Sequence, residues 1–355
     1  MYVTQFAGDS YLDNESSLAA SVLSGNRLAL GRLLTQIEND LPAGRQALME
    51  LYHRTGGAHL VGVTGAPGTG KSSLVNQLAR LYRQPTDGSE PKKVGIIAVD
   101  PSSPFTGGAL LGDRVRMRDL AGDPGVFIRS MASRGSLGGL AAATAGLVDA
   151  LDAAGYEVIL IETVGAGQGE VDIVRLAHTT LVVEAPGLGD EIQAIKAGIL
   201  EIADVLVINK ADMPGVENTE RALRSMLELA HPAPRVYLHH GQTERITSMA
   251  EKGDLAAQSW HPPLLRTVAT QCSGISELVD NIELHRRYLR QSGEWELRVQ
   301  VRLKSQLDNL LQSALVARWR KNVSNQRYTS VLSMLVEREI SPWQAVESLL
   351  DGELQ

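Results

Sequence analysis

Gly65-Ala66-Pro67-Gly68-Thr69-Gly70-Lys71-Ser72 is a complete phosphate-loop pattern. It follows a β-rich run, Leu60–Thr64, and precedes a helix-patterned run, Ser72–Leu81. In such a loop the glycines let backbone N–H groups turn inward as an anion nest beside a helix N-terminus. Lys71 is placed to reach the β- and γ-phosphates, and the Ser72 hydroxyl to ligate magnesium. A glycine-rich turn matching by chance would not also have strand and helix in register. The residues expected at the nucleotide are Gly65, Ala66, Pro67, Gly68, Thr69, Gly70, Lys71, Ser72 and Ser73.

After this loop, short β-rich runs alternate with helix-length segments. The runs are Val94–Val99, Val126–Ser130, Val158–Ile161, Leu181–Val183 and Val205–Ile208. Uniformly apolar strands separated by helices predict an α/β fold with a mostly parallel sheet covered on both faces. Residues 1–56 read as a helical extension: Leu30, Leu33, Leu34 and Ile37 repeat at helical spacing, as do Ala47, Leu48, Leu51 and Tyr52, with a break at Leu41–Gly44. Residues 57–284 form the expected nucleotide domain. Residues 285–355 form a helical arm, in which Ser341 and Pro342 mark an N-cap and first helical turn.

The base is read from Asn209-Lys210-Ala211-Asp212, directly after the run Val205–Ile208. A carboxylate at Asp212 accepts from guanine N1 and N2, donors that adenine does not present, so guanine is expected. Between the two motifs, Asp100 and Glu162 end strand-like runs and Asp113 follows a glycine-rich loop. Ligands bind outside the carboxyl ends of parallel strands, so these acids are expected, with Ser72, at a magnesium ion or a positioned water. The predicted reaction is transfer of the γ-phosphoryl group of GTP to water, with Lys71 and Glu162 as the catalytic pair.

Bulk composition narrows the partners. The 355 residues carry a net charge of −7, from 34 basic and 41 acidic side chains, which gives no general attraction to nucleic acid or anionic lipid. The single cysteine, Cys272, leaves no disulfide framework or cysteine-rich zinc site. Met1–Ala20 contains acids and no Lys or Arg, unlike a secretory or transit leader, and Leu137–Val148 is too short to span a membrane. A soluble, cytoplasmic protein is expected. His239 and His240 read as a surface loop rather than a metal site, and Trp319 and Trp343 as packing or interface residues.

Several motifs carry a closer resemblance. They are Val99-Asp100-Pro101-Ser102-Ser103, Gly107-Gly108 to Asp113, Ser133-Arg134-Gly135 to Gly139, Glu162-Thr163-Val164-Gly165 to Gln168, and Gly189-Asp190-Glu191-Ile192-Gln193 to Lys196. With the two nucleotide motifs, they make the chain resemble the GTPases associated with methylmalonyl-CoA mutase. These are chaperones of adenosylcobalamin-dependent acyl-CoA mutases, in the class of P-loop GTPases with a Glu where Ras-like proteins use Asp. The resemblance implies GTP/GDP and Mg2+ as ligands, with Ser72, Asp100, Asp113 and Glu162 at the metal and switch region.

It also implies a third switch, Gly187–Lys196, in which Asp190, Gln193 and Lys196 sense nucleotide and contact the mutase. A homodimer is implied, with adenosylcobalamin held by the partner enzyme rather than by this chain, which has no Asp-x-His-x-x-Gly motif. One departure stands out: the guanine loop reads Thr267-Val268-Ala269, with Val268 where serine is usual. Ala269 keeps the backbone N–H expected at guanine O6. Gln168 and Gln193 are the candidates for positioning water. The alternatives are a nickel-type metallochaperone GTPase, for which a Cys/His site is missing, and a P-loop kinase for a small substrate, against which Asp212 argues.

Overall fold

The computed structural model describes residues 17–100, 118–120, 122–132, 139–163, 176–187, 202–229, 236–239, 242–245 and 259–351. Three helices come first: α1 (Leu18–Leu23), α2 (Arg27–Glu38) and α3 (Pro42–Leu51). The break between the last two falls earlier than the sequence suggested. Asn39 and Asp40 close α2, and Pro42 is already the first residue of α3, where its missing N–H costs no helical hydrogen bond.

Next come β1 (His59–Thr64), α4 (Lys71–Arg83), β2 (Val94–Asp100), β3 (Val126–Ala132), α5 (Gly139–Ala153), β4 (Val158–Thr163), β5 (Thr179–Glu184) and β6 (Val205–Ile208). They are followed by α6 (Val216–Leu229), β7 (Val236–His239), β8 (Gln242–Arg245) and β9 (Leu264–Arg266). The chain ends in α7 (Ile275–Ser292), α8 (Glu294–Asn322), α9 (Asn325–Val336) and α10 (Pro342–Asp351).

Seven strands form one parallel sheet in the order β3-β2-β4-β1-β5-β6-β9, while β7 and β8 pair as a separate antiparallel hairpin. The period-2 alternation of strands divides the core in two. Leu60, Ile97, Ile159 and Ile161 face α1–α3 and α5, whereas Val61, Val63, Ile96, Leu160 and Val183 face α4 and α7. The sheet is thus covered on both faces, as its continuous apolar strands require. Strand β9 has only three residues and too little pattern to be read as a strand beforehand. Among the described residues no helix is long and apolar enough to cross a membrane.

At the amino ends of the strands lies a buried polar cluster. His59 Nε2 meets Thr179 Oγ1 at 2.8 Å, and Thr179 Oγ1 meets His285 Nδ1 at 2.9 Å. The backbone N–H of Leu60 donates to His178 Nδ1 at 3.1 Å. Arg298 makes a two-pronged pair with Asp204, at 2.9 and 3.0 Å, and donates to the His178 carbonyl. Trp295 stacks on His178 with 3.8 Å between ring centroids. Thus Trp295 and Arg298, with Arg302 one turn on, bury the base of α8 against the sheet. From Leu310 to Arg318 every residue of α8 is exposed, and the helix stands clear of the body. Its far end is capped by α9 and α10, where Trp319 Nε1 donates to the Leu349 carbonyl at 3.1 Å. The reading of Trp319 as a packing residue agrees with this contact, whereas Trp343 is 80% exposed.

Burial, followed by the positive charge of neighbouring arginines, holds His59 and His178 well below the ordinary histidine value of 6.5. Both are neutral in the fold, whereas the unfolded chain takes up protons below pH 6.5. Stability attributable to these histidines is therefore full above that pH and declines as pH falls through it. The slope is about 1.4 kcal/mol per pH unit for each histidine. Urea midpoints at pH 7.5 and 5.5 should differ in that direction. His178→Asn, which keeps an acceptor for Leu60 N–H without a titrating ring, should flatten the difference.

Candidate nucleotide site

The phosphate loop joins β1 to α4 at the carboxyl edge, and β1 lies centrally between β4 and β5. The loop needs two of its glycines for identifiable reasons. A Cβ on Gly65, at φ +137°, would sit 2.0 Å from the Val183 carbonyl oxygen of β5. A Cβ on Gly70, at φ +90°, would sit 2.5 Å from Asn209 Nδ2. Side chains at either position would push the loop off the strands that support it.

Lys71 opens α4 and is nearly buried; its Nζ donates to the carbonyls of Gly65 and Ala66 at 2.8 and 2.9 Å. The ammonium is therefore held directly beneath the loop. Thr69 Oγ1 closes the turn onto the Ala66 carbonyl. One residue into the helix, Ser72 Oγ donates to Glu162 Oε1 at 2.5 Å. Strand β4 runs two residues further than the sequence reading placed it, so Glu162 lies within the strand, flanked by Val63 of β1 and Ala98 of β2. This register holds its carboxylate against the start of α4. Ser72 and Glu162 thus bring together hard oxygen donors of the kind magnesium takes, and the donor set fits that ion.

Asp100 is the last residue of β2, on the same edge, with its side chain outside the described residues. Asp113, Gln168, Asp190, Gln193 and Lys196 also lie outside them, as does His240.

Asn209 connects the two nucleotide motifs. Its Nδ2 donates to the Thr69 carbonyl at 2.8 Å, while its Oδ1 accepts from Thr267 Oγ1 and Ala269 N, both at 3.1 Å. Its own N–H is held by the Glu184 carbonyl. Lys210, in the left-handed region at φ +57°, sends Nζ to the Gly68 carbonyl at 2.7 Å. Asp212 is exposed on the turn beyond. Backbone bonds from Ala211 N to Thr267 O and from Thr267 N to Ile208 O join this turn to the one after β9.

The Ala269 N–H therefore already has Asn209 as its acceptor, and meeting a base would require it to share or exchange that bond. Val268 exchanges backbone bonds with Ser273, and its side chain is almost fully buried. Its place is in the scaffold of the turn. Cys272 follows, exposed and at φ +56°, with Sγ 3.1 Å from Gln77 Oε1. The hydroxyl of Thr267 was missed from sequence. Its signal was present in the spacing of that loop, where only the next two residues were assigned.

A phosphate loop on the central strand of a parallel sheet, tied through Asn209 to a guanine-type Asn-Lys-x-Asp turn, defines a P-loop GTPase. The chain belongs to the family described as methylmalonyl-CoA mutase-associated GTPase MeaB, whose pattern matches residues 30–324. A protein of Pyrococcus abyssi named as a GTPase is 42% identical over 92% of this chain and 93% of its own length. The GTPase ArgK of Escherichia coli is 37% identical over 74% of this chain and 79% of its own. Among solved structures, that of LAO/AO transport system kinase superposes with a TM-score of 0.63 at 27% identity. That match covers 96% of this chain and 98% of the other.

Replacing Asn209 by Ala removes partners from Thr69, Thr267 and Ala269 at once. A buried polar group left without a partner costs about 1–3 kcal/mol, so GDP affinity measured by calorimetry should fall by about 5-fold or more. Thermal stability should fall with it.

Proposed function

We propose that this GTPase is a chaperone whose nucleotide state gates adenosylcobalamin delivery to, or protection of, an acyl-CoA mutase. The observation that carries the catalytic part is Lys71 held beneath the phosphate loop, with Ser72 bonded to Glu162 one residue further on. The partner is inferred from the family's mutase association. The cofactor is assigned to the mutase and not to this chain.

In hydrolysis, Lys71 leaves the loop carbonyls for the β- and γ-phosphates and neutralises charge developing between them. Ser72 and Glu162, with Asp100 and Asp113, are the residues that would hold magnesium, which when bound adds positive charge at the same oxygens. Gly65, Ala66, Pro67, Gly68, Thr69, Gly70 and Ser73 form the loop and helix start that would cradle the phosphates, through the backbone N–H groups that all but Pro67 carry. Asn209 and Lys210 brace the loop, Asp212 reads the guanine edge, Val268 shapes the turn beside the base, and Ala269 offers the base its N–H by sharing or exchanging the bond to Asn209. The segments that follow Glu162 and Gly187 would order about the γ-phosphate, and Asp190, Gln193 and Lys196 would pass that order to the mutase.

Assembly is proposed to occur through the arm. Leu307, Leu311 and Leu315 recur at one-turn spacing along the exposed part of α8, with Leu310 and Val316 beside them. A bare leucine stripe of this kind suits a second copy of the same arm in a homodimer.

Three outcomes are expected. Lys71→Ala should lower GTP turnover by ~10² or more while GDP affinity falls less; surviving turnover would remove the catalytic assignment. Asp212→Asn should move preference from guanine toward xanthine nucleotides in competition binding. Leu311→Glu with Leu315→Glu should sediment as a monomer that still binds GDP, and a variant sedimenting like wild type would refute the arm as the interface.

A further inference from the structure

The side-chain oxygen of Asn209 has room for two hydrogen bonds, one at each lone pair. Both places are taken. Thr267 Oγ1 donates to Oδ1 at 3.1 Å, and Ala269 N donates to it at the same distance. The orientation of the carboxamide is forced from its two ends. The Thr69 carbonyl requires a donor and so faces Nδ2, while the Ala269 N–H requires an acceptor and so faces Oδ1. Asn209, Thr267 and Ala269 are 2%, 1% and 3% exposed, so solvent does not reach in to replace a lost partner.

The two donors to Oδ1 are mounted differently. Thr267 is tied through its backbone, its N–H to the Ile208 carbonyl and its carbonyl to the Ala211 N–H. A β-branched side chain is also restricted at χ1, so the hydroxyl is presented to Asn209 on a stiff support. Ala269 instead opens a single 3-10 turn, Ala269–Gln271, and the N–H that opens such a turn has no partner inside it. Val268 between them brings no hydroxyl and commits its backbone bonds to Ser273. One donor is therefore fixed, and the other is the one that can leave.

We propose that Thr267 is a positioning residue for guanine binding: its hydroxyl keeps Asn209 Oδ1 paired when the Ala269 N–H turns to the base. This rests on the reading above that Ala269 offers its N–H to the base, at guanine O6. In the nucleotide-free protein Oδ1 has two donors, and loss of the Thr267 hydroxyl leaves it with one. With guanine bound, the same loss leaves a buried carbonyl oxygen with none, and that cost falls on the complex alone. Thr267 thus adds little to the fold and sets how tightly the base is held. It does so without touching the nucleotide, through an oxygen whose donors change over on binding.

The test uses the full-length protein, freed of nucleotide, in two variants. Thr267→Val keeps the branched shape without the hydroxyl, and Thr267→Ser keeps the hydroxyl. Calorimetry gives the affinity of each for GDP and for 6-thio-GDP, whose sulfur is a poor acceptor in place of O6 while N1–H and N2 remain. Thr267→Val should bind GDP more weakly by about 5-fold or more, with Thr267→Ser within about two-fold of wild type. Its loss on 6-thio-GDP should stay under about two-fold, because sulfur draws the Ala269 N–H less far from Asn209. The thermal midpoint of nucleotide-free Thr267→Val should lie within about 2 °C of wild type. Unchanged GDP affinity in Thr267→Val overturns the proposal, as does a larger fall in midpoint or an equal loss on GDP and 6-thio-GDP. Should Thr267→Val not fold, Thr267→Ala is read against the same two ligands in the same way. Wild type alone tests the underlying reading: equal affinity for GDP and 6-thio-GDP would remove O6 from Ala269. Discrimination by wild type with equal losses in Thr267→Val would instead refute the role of Thr267 and leave that reading standing.

Discussion

The carboxamide of Asn209 is the contact on which the nucleotide site depends. Its two ends differ chemically, one donating and one accepting, and the fold uses that difference. The donor end grips the Thr69 carbonyl in the phosphate loop, while the acceptor end gathers Thr267 and Ala269 from the turn after β9. Two loops from distant parts of the chain are thereby tied to the turn that carries this side chain, which is 2% exposed. The missing Cβ of Gly70 leaves room for it. With the Lys210 bond to the Gly68 carbonyl, this tie sets the phosphate-binding and base-reading halves in a common frame.

Much of this was legible beforehand because phosphate and guanine recognition use short, contiguous residue patterns. A loop that must turn N–H groups inward needs its glycines, lysine and serine within a few positions, and the order survives in the sequence. The main strands were legible for a different reason: burial on both faces makes them continuously apolar. Strand β9 was not, since three residues carry no period. Nor could local pattern show that Glu162 would lie inside β4 against Ser72, because that pairing comes from strand register. The Arg298–Asp204 clamp was hidden more deeply. Its partners are far apart in sequence, and a lone arginine on a charged helix looks like a solvated one.

The sheet has two chemically different edges. The carboxyl edge is glycine-rich and built from backbone groups that can be rearranged around an anion. The amino edge is a closed array of histidine, threonine, aspartate, arginine and tryptophan side chains, mostly buried. Asp149 of α5, pushed up by burial and held by Gln306 of α8 at 2.9 Å, extends this polar footing under the arm. The arm therefore leaves the body from a base tied to the sheet and to α5, with its exposed leucines beyond.

The lone sulfhydryl of the chain also offers a practical handle. Cys272 is exposed one turn beyond the loop expected at the guanine, and it leans on Gln77 of the helix that begins with Lys71. A maleimide dye would attach at a single place, between the base-reading turn and the phosphate helix. Because Cys272 sits in a tight, left-handed turn, the dye would ride on a short mount. Its emission would then follow relative displacement of those two elements in real time, without introducing any new residue.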